Sequence, residues 1–292
     1  MLLLSDTHIG KVVKPEQTLG LGEYNFPEFL RRLKRLEESV FSILTDHTTT
    51  RVPEIVVALL GDMLDGALDH AAECGHVNTV LSQFYQGGHA LAQFLARLST
   101  LAPLRVYGVV GNHTRWQNQR KMPTENRNSN YDMMLYLYVQ ALVREIPRIE
   151  CRFDEQPFSL FDVQGWRFYA GHGDNLRGGD KMLGIPNHAI GRNVGTNSQL
   201  FIRAKQPLPN YYLYGHLHRP ITLPHTNGEV IVNGAFPGVD GYSLTEAFNS
   251  SHPVQKFFLV HPKFGRSACY DLRLDFPPTG EPYKLDSMFA CN

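Results

Sequence analysis

Aspartate, asparagine and histidine side chains follow five short apolar runs of this chain, and their types are those of metal ligands. They are Asp6 and His8 after LLLS, Asp62 after VVALLG, Asn112 and His113 after YGVVG, His172 after WRFYAG, and His216 and His218 after YYLYG. Carboxylate, amide and imidazole ligands without thiolates suit Mn²⁺, Fe²⁺, Zn²⁺ or Co²⁺ better than Ca²⁺. Two carboxylates, one amide oxygen and four imidazoles are too many for one tetrahedral metal. They fit two metals that share a carboxylate, which is the arrangement used for displacement at phosphorus.

His216 and His218 are separated by one residue directly after an apolar run. In an extended segment, residues i and i+2 point to the same side. The two imidazoles are therefore expected to face one point together, and on this pattern alone that point is a metal, an anion or water.

The apolar runs read as buried strands, and the segments between the first of them read as helices. Glycine directly precedes four of the five polar clusters, which allows sharp turns and close approach. In layered α/β folds, ligands bind beyond the carboxyl ends of the strands. Five strands that deliver polar residues at one end would assemble such a site.

Strand–helix alternation in the first half of the chain predicts parallel pairing, and the strand-dense second half predicts mixed pairing. We expect one domain over residues 1–292, with insertions at about 114–130 and 175–207. The strands after His218 account for most of the remaining chain. We therefore expect no separate C-terminal capping domain.

The motifs SDTHIG, GDMLDG, GNH, GHGD and GHLH occur in this order. Together they resemble the pattern of the calcineurin-like metallophosphoesterase superfamily, from Asp6 to His218. The resemblance implies an α/β fold, a four-layer αββα sandwich of two mixed β-sheets flanked by helices. It also implies a hydrolase of phosphoesters that uses a metal-bridging hydroxide as nucleophile.

The resemblance assigns a role to each ligand-type residue. Asp6, His8 and His218 would bind one metal, Asn112, His172 and His216 would bind a second, and Asp62 would bridge the two. The cofactors would be two divalent metal ions, with Mn²⁺ as the first choice and Fe, Zn, Co or Ni as alternatives.

Three further residues of the motifs receive expected roles. His113 matches the family's histidine that binds no metal, and it would stabilise the transition state or protonate the leaving oxygen. Asp65 and Asp174 would orient ligand histidines from behind the metal shell. A helix-capping or turn role for the two aspartates is an equal alternative.

The substrate is indicated by what surrounds the motifs. Asp65 is followed by Gly66 and His113 by Thr114, so the Arg and Glu typical of serine/threonine protein phosphatases are absent. The pattern is closer to Mre11 and SbcD nucleases and to compact phage and prophage phosphoesterases described as DNA-repair exonucleases.

Basic residues in the two insertions support a polyanionic substrate. Between 175 and 219, six basic residues stand against one acidic residue. Trp116 and Tyr211 could stack on bases. The candidate substrate-binding residues are Arg115, Trp116, Arg177, Arg192 and Tyr211. The alternative is that these are ordinary solvated loops and buried aromatic side chains.

These observations predict a Mre11-like DNA nuclease or exonuclease without a cap, and without the tail that would bind an ATPase partner. The alternative is a phosphodiesterase for cyclic nucleotides or other small phosphodiesters. A protein phosphatase and a non-catalytic, metal-stabilised scaffold are further alternatives.

The composition gives the remaining expectations. The formal net charge is zero and 42% of the residues are hydrophobic, which indicates a globular protein without a general preference for nucleic acid or acidic membranes. The four cysteines are scattered and the first apolar run is too short for a signal peptide. We therefore expect a cytoplasmic protein with no membrane association, either a monomer or a homodimer.

Overall fold

A computed structural model describes residues 1–66, 79–115, 129–176, 185–245 and 252–285. The strands are β1 (Leu2–Leu4), β2 (Ile55–Leu59), β3 (Leu104–Gly108), β4 (Ile149–Arg152), β5 (Ser159–Val163), β6 (Trp166–Ala170), β7 (Tyr211–Tyr214), β8 (Ile221–His225), β9 (Gly228–Val232), β10 (Val254–His261) and β11 (Gly265–Arg273). The helices are α1 (Phe26–Ser42), α2 (Val80–Ser99), α3 (Tyr131–Val143), α4 (Asn187–Arg203) and α5 (Gly241–Thr245).

The first sheet has the strand order β11-β10-β1-β2-β3-β4. Its strands β1 to β4 are parallel, and β10 pairs antiparallel with both β1 and β11. Strands β1 and β2 are buried along their whole length, as strands covered on both faces must be. The carboxyl ends of β1, β2 and β3 therefore lie side by side at one edge.

The second sheet has the order β5-β6-β7-β9-β8. Strands β6, β7 and β9 are parallel, whereas β5 and β8 pair antiparallel at the two edges. The carboxyl ends of β6 and β7 also lie together. Both sheets are mixed, as expected.

The structure has four layers, two of helices and two of sheet, and an apolar cluster fills each of the three spaces between them. Helices α1, α2 and α3 cover the outer face of the first sheet, and their side chains share a core with Leu2, Val57 and Val106. The inner faces of the two sheets pack against each other. Helix α4 covers the outer face of the second sheet. The αββα sandwich expected from the resemblance is confirmed.

The sequence did not place strands β4 and β8 or the first residue of helix α2. Strands β4 and β8 lie at sheet edges and are only partly buried, so their apolar pattern is weak. Helix α2 begins at Val80, where Thr79 accepts a hydrogen bond from the Ser82 N–H and so ends the preceding loop. The insertion at 175–207 contains α4, and its residues 177–184 lie outside the described part of the chain.

Candidate metal centre

The structure brings the eight residues of the five motifs together at the carboxyl ends of β1, β2, β3, β6 and β7. Five of them have a left-handed backbone, with φ between 42° and 64°, and they are Asp6, His8, Asp62, His216 and His218. A left-handed backbone is uncommon for residues other than glycine and clusters at functional sites. The chain therefore turns sharply after β1, β2 and β7, which aims these side chains at one region.

The first cluster consists of Asp6, His8 and His218. The Nε2 atoms of His8 and His218 lie 3.2 Å apart, and Asp6 Oδ1 lies 3.3 Å from His218 Nε2. One potential ligand atom from each residue lies within 4.8 Å of the others. Asp6 and His8 are fully buried, while the His218 side chain is 31% exposed. The donor set and spacing fit one divalent cation.

The second cluster consists of Asp62, His172 and His216, which also offer ligand atoms within 4.8 Å of one another. His172 Nε2 lies 3.0 Å from Asp62 Oδ2 and 3.0 Å from Asn112 Oδ1. The Nδ1 of His172 lies 2.7 Å from the Leu60 carbonyl oxygen, so it donates there and leaves Nε2 to face the cluster.

Asp62 and His172 form a buried ion pair. Burial alone would lower the pKa of His172, but the charge of Asp62 and its contact with the ring outweigh burial and raise that pKa to about 10. Burial would raise the pKa of Asp62, but His172 holds it well below its usual range. A cation bound at this cluster would take the place of the imidazolium charge and release the His172 proton.

The imidazole rings of His8 and His216 are neutral near pH 7. Burial is the main cause that lowers the pKa of each to about 4, and a neighbouring histidine lowers it further, His113 for His8 and His172 for His216. Neutral imidazole is the form that binds metal. The two clusters therefore each contain at least one imidazole ready to act as a ligand.

His113 lies at the mouth of the site, and with His8 and Asp65 it forms a third group of potential ligand atoms within 4.8 Å of one another. Its side chain is 34% exposed, and its ring centroid lies 4.6 Å from that of His8. The backbone N–H of His113 donates to Asp62 Oδ1 over 2.8 Å. Asp65 Oδ1 lies 3.2 Å from His8 Nδ1 and 3.9 Å from His113 Nδ1. Asp65 is thus the carboxylate behind both histidines.

Glycine is required at two of the turns because ligand side chains pass directly against the backbone. A Cβ on Gly111 would lie 2.0 Å from Asp62 Oδ1, and a Cβ on Gly215 would lie 2.7 Å from Asp6 Oδ2. No real side chain approaches that closely. These glycines allow the carboxylates of neighbouring strands to reach the site.

Two groups of buried polar residues around the site were missed by sequence reasoning. Asn233 donates to Ser5 Oγ and to Gln255 Oε1, and Gln255 Oε1 also accepts from the Ser5 N–H, which holds the loop before Asp6. Asp132 and Asn130 hold the loops after β2 and β3. None of these residues follows a metal-type motif. The sequence could point to them only as amide or carboxylate side chains that need hydrogen-bond partners once they are buried.

The expected substrate-binding residues fall in different places. Arg115 forms an ion pair with Asp174 at the mouth, with side chains 24% and 31% exposed. Asp174 thus pairs with Arg115. Arg192 is exposed on α4, whose Asn193 accepts a hydrogen bond from the Tyr214 hydroxyl at the end of β7. Trp116 and Arg177 lie outside the described residues.

Tyr211 as a base-stacking residue is contradicted. Its side chain is 6% exposed and packs between the two sheets against Phe168. It begins β7, and its hydroxyl accepts from the Arg266 N–H. Tyr211 is therefore a core residue. It lies at the amino end of β7, whereas His216 follows the carboxyl end of the same strand.

One comparison with known proteins identifies a family over most of the chain. The family model described as calcineurin-like phosphoesterase matches residues 1–220. A search of the curated proteins found no match. Similar solved structures include an archaeal phosphodiesterase, which is 13% identical with a TM-score of 0.41, covering 93% of this chain and 98% of that one.

Another is a zinc complex of Vps29 from Entamoeba histolytica, 12% identical with a TM-score of 0.39, covering 94% of this chain and 98% of that one. A hypothetical protein from Pyrococcus horikoshii is 9% identical with a TM-score of 0.45, covering 94% and 88% of the two chains.

Among the described helices, none combines the length and the apolar character needed to cross a membrane. Five motifs in order, two clusters of metal-type ligands and a family match over about three quarters of the chain lead to one assignment. The chain belongs to the calcineurin-like phosphoesterase family, whose members depend on a dinuclear metal centre.

Proposed function

We propose that this protein is a phosphodiester hydrolase with two divalent metal ions, Mn²⁺ being the first choice. Asp6, His8 and His218 would hold one ion, and His172, His216 and Asn112 the other, with Asp62 shared. The observation that carries the proposal is the pair of metal-type clusters, each with ligand atoms within 4.8 Å of one another.

The protein's own residues supply the remaining chemistry. When bound, two divalent ions activate water and stabilise the charge that develops on the phosphoryl oxygens. His113 is the proton donor to the leaving oxygen, because it lies at the open mouth beside both clusters. Asp65 would fix the ring of His8, whose Nδ1 lies 3.2 Å from its Oδ1, and would act on the His113 ring through its charge at 3.9 Å.

We propose DNA as the substrate, as in Mre11-like nucleases. The support is the open mouth, where His113 and His218 are partly exposed, and the basic side chains around it. Arg115 lies two residues after His113, and Arg192 lies on the helix that covers the end of β7. Phosphates on either side of the scissile bond would find cations there.

A small phosphodiester is a second candidate, and specific observations favour it. Arg115 is paired with Asp174, and Lys11 with Asp240, so each of these cations is neutralised by a carboxylate. Neutralised cations attract a polyanion weakly at long range. The burial of Tyr211 also removes one of the two expected base-stacking residues.

The test is a substrate panel assayed with Mn²⁺: end-labelled single- and double-stranded DNA, a cyclic nucleotide, bis-p-nitrophenyl phosphate and p-nitrophenyl phosphate. Degradation of DNA supports the nuclease. Hydrolysis of the small diesters with intact DNA supports the second candidate. Hydrolysis of p-nitrophenyl phosphate alone would contradict both, since it is a monoester.

A further inference from the structure

Asp132 is a fully buried carboxylate that faces neither metal-type cluster. It lies in the first turn of α3, directly after Tyr131. Its Oδ2 accepts hydrogen bonds from the N–H groups of Asp62 and Gly111, both over 2.9 Å, and its Oδ1 accepts from the Met63 N–H over 3.1 Å. Both oxygens are thus used by backbone donors, so Asp132 is not itself placed as a ligand.

The three donors belong to two different loops. Asp62 and Met63 follow β2, and Gly111 precedes Asn112 in the loop after β3. One carboxylate therefore connects the loop of the shared ligand Asp62 to the loop of the ligand Asn112. Because hydrogen bonds to a charged acceptor are short and strong, this connection fixes the spacing of the two loops.

The hydrogen bond from the Asp62 N–H to Asp132 also stabilises an unfavourable backbone conformation at Asp62. Asp62 has a φ of 52°, which most residues avoid. Its N–H points at Asp132 in this conformation, and its side chain then reaches His172 and the His113 N–H. Loss of the acceptor would remove one of the contacts that hold Asp62 in this orientation.

Asn130 holds the second loop from the other side. Its amide nitrogen donates to the Gly111 carbonyl over 3.0 Å, and its oxygen accepts from the Asp132 N–H and the Thr114 hydroxyl. Gly111 is thus hydrogen-bonded at both its N–H and its C=O. The start of α3 and the loop that carries Asn112 and His113 form one hydrogen-bonded unit.

We propose that Asp132 is a positioning residue of the metal centre. By fixing Asp62 relative to Asn112, it sets the affinity for the metal ion held by Asp62, Asn112, His172 and His216. This inference rests on the proposed dinuclear centre. Because Asp62 is shared by the two ions, the affinity for the ion held by Asp6, His8 and His218 should fall as well, but by a smaller factor, since Asp132 holds the loop of only one of its ligands.

The variant Asp132→Asn has nearly the same shape but replaces one acceptor oxygen by an amide N–H₂ donor. At least one backbone N–H then loses its acceptor. Metal-free protein is titrated with Mn²⁺ by calorimetry, and the electron paramagnetic resonance spectrum is recorded at each equivalent. We expect two equivalents in the wild type. In the variant we expect a rise of about tenfold to a hundredfold in one of the two dissociation constants and a smaller rise in the other. The signal of the coupled Mn²⁺ pair should weaken in parallel.

Glu38→Gln is the matched control. Glu38 also accepts hydrogen bonds from two backbone N–H groups, those of Thr279 and Gly280, but it lies on α1 away from the site. Neither dissociation constant should change in this variant. If Asp132→Asn does not fold, Asn130→Ser serves instead, because serine can still cap α3 but cannot donate to the Gly111 carbonyl. The same dissociation constant should then rise by a smaller factor.

The outcomes separate the two proposals. A wild type that binds fewer than two Mn²⁺ ions would contradict the dinuclear centre itself. A wild type that binds two ions, with both constants unchanged within threefold in the folded Asp132 or Asn130 variant, would overturn the positioning role. A lower melting temperature without a change in either constant would overturn it as well, since Asp132 would then act on stability alone.

Discussion

The ring nitrogens Nε2 of His8 and His218 lie 3.2 Å apart, although 210 residues separate them in the sequence. Two such nitrogens meet when one ring donates to the other or when both bind the same cation. Asp6 Oδ1 lies 3.3 Å from His218 Nε2, which adds a negative charge to the same point. The contact joins the first strand to the last motif, and it identifies the place where one metal ion would bind.

Replacing His113 by alanine should separate catalysis from metal binding. His113 is placed to protonate the leaving oxygen and lies outside both clusters of proposed ligands. We expect Mn²⁺-dependent turnover of bis-p-nitrophenyl phosphate to fall by about 10²- to 10⁴-fold, while two metal equivalents remain bound. Kinetics and metal content are measured on the same preparation. A variant with full turnover would show that His113 is not the proton donor.

Gly111→Ala should impair the site through a steric effect. The new Cβ would lie 2.0 Å from Asp62 Oδ1, so the loop or the carboxylate must move. We expect a loss of about 1–3 kcal/mol in the free energy of unfolding and weaker Mn²⁺ binding. Thermal unfolding and calorimetry measure the two effects.

Gly195→Ala provides the control for that substitution. Gly195 lies within α4, and nothing lies within 4 Å of where its Cβ would be. Alanine should stabilise the helix by about 0.5–1 kcal/mol and leave metal binding unchanged. Equal effects of the two substitutions would contradict the steric explanation.

Arg192 distinguishes the two substrate candidates, and Arg115 tests the contact with the phosphate in both. Hydrogen bonds to charged groups contribute about 1.5–3 kcal/mol. Arg115→Ala should therefore raise KM for the true substrate by about tenfold to a hundredfold. Arg192→Ala tests whether the substrate extends beyond the metal site, as a nucleic acid would, because Arg192 is exposed on α4.

If DNA is the substrate, Arg192→Ala should weaken DNA binding and reduce the salt slope by about one. If a small diester is the substrate, Arg192→Ala should leave KM unchanged. Titrations at several salt concentrations measure the slope. An unchanged KM in Arg115→Ala with every cleaved substrate would show that Arg115 does not contact the phosphate.

Much of the site could be predicted from sequence because each ligand follows an apolar strand. The strand places its last residue at a shared edge, and the residue types identify the chemistry without knowledge of the pairing. The family resemblance carried by the motifs also implied the sandwich. The sheet order was not predictable, because the pairing of β1 with β10 joins segments that are far apart in the sequence.

Asp132 and Tyr211 show where sequence reasoning fails. An aspartate in the first turn of a helix ordinarily reads as favourable to the helix dipole, and nothing in its neighbourhood points to loops after β2 and β3. Tyr211 precedes a ligand motif but alternates with Tyr212 and Tyr214, so it faces the opposite side of the sheet. The structure bears out the alternative given for Tyr211, a buried aromatic side chain, because it packs between the two sheets.

Asp240 should contribute stability that depends on pH. Burial would raise its pKa, but the charge of Lys11 and the hydrogen bond with it dominate and lower the pKa from 3.8 to about 2. A carboxyl with a lowered folded-state pKa stabilises the fold above its unfolded pKa, and that stabilisation is lost as pH falls through the folded value. The shift corresponds to about 2 kcal/mol at neutral pH.

Asp240→Asn should therefore unfold at lower urea concentration than the wild type at neutral pH, and the difference should shrink between pH 3.8 and about 2. Asp271→Asn is the control, because Asp271 pairs with Lys256 but its side chain is 53% exposed. Its effect should stay close to zero. A difference for Asp240→Asn that does not change with pH would contradict the ion-pair explanation.

The most direct test of a dinuclear phosphodiester hydrolase is the hydrolysis of bis-p-nitrophenyl phosphate while the metal-free protein is titrated with Mn²⁺. We predict no turnover without metal and a rate that rises to a plateau as the second equivalent binds. Two bound equivalents without hydrolysis of this diester or of DNA, or turnover that is independent of Mn²⁺ and other divalent ions, would contradict the account.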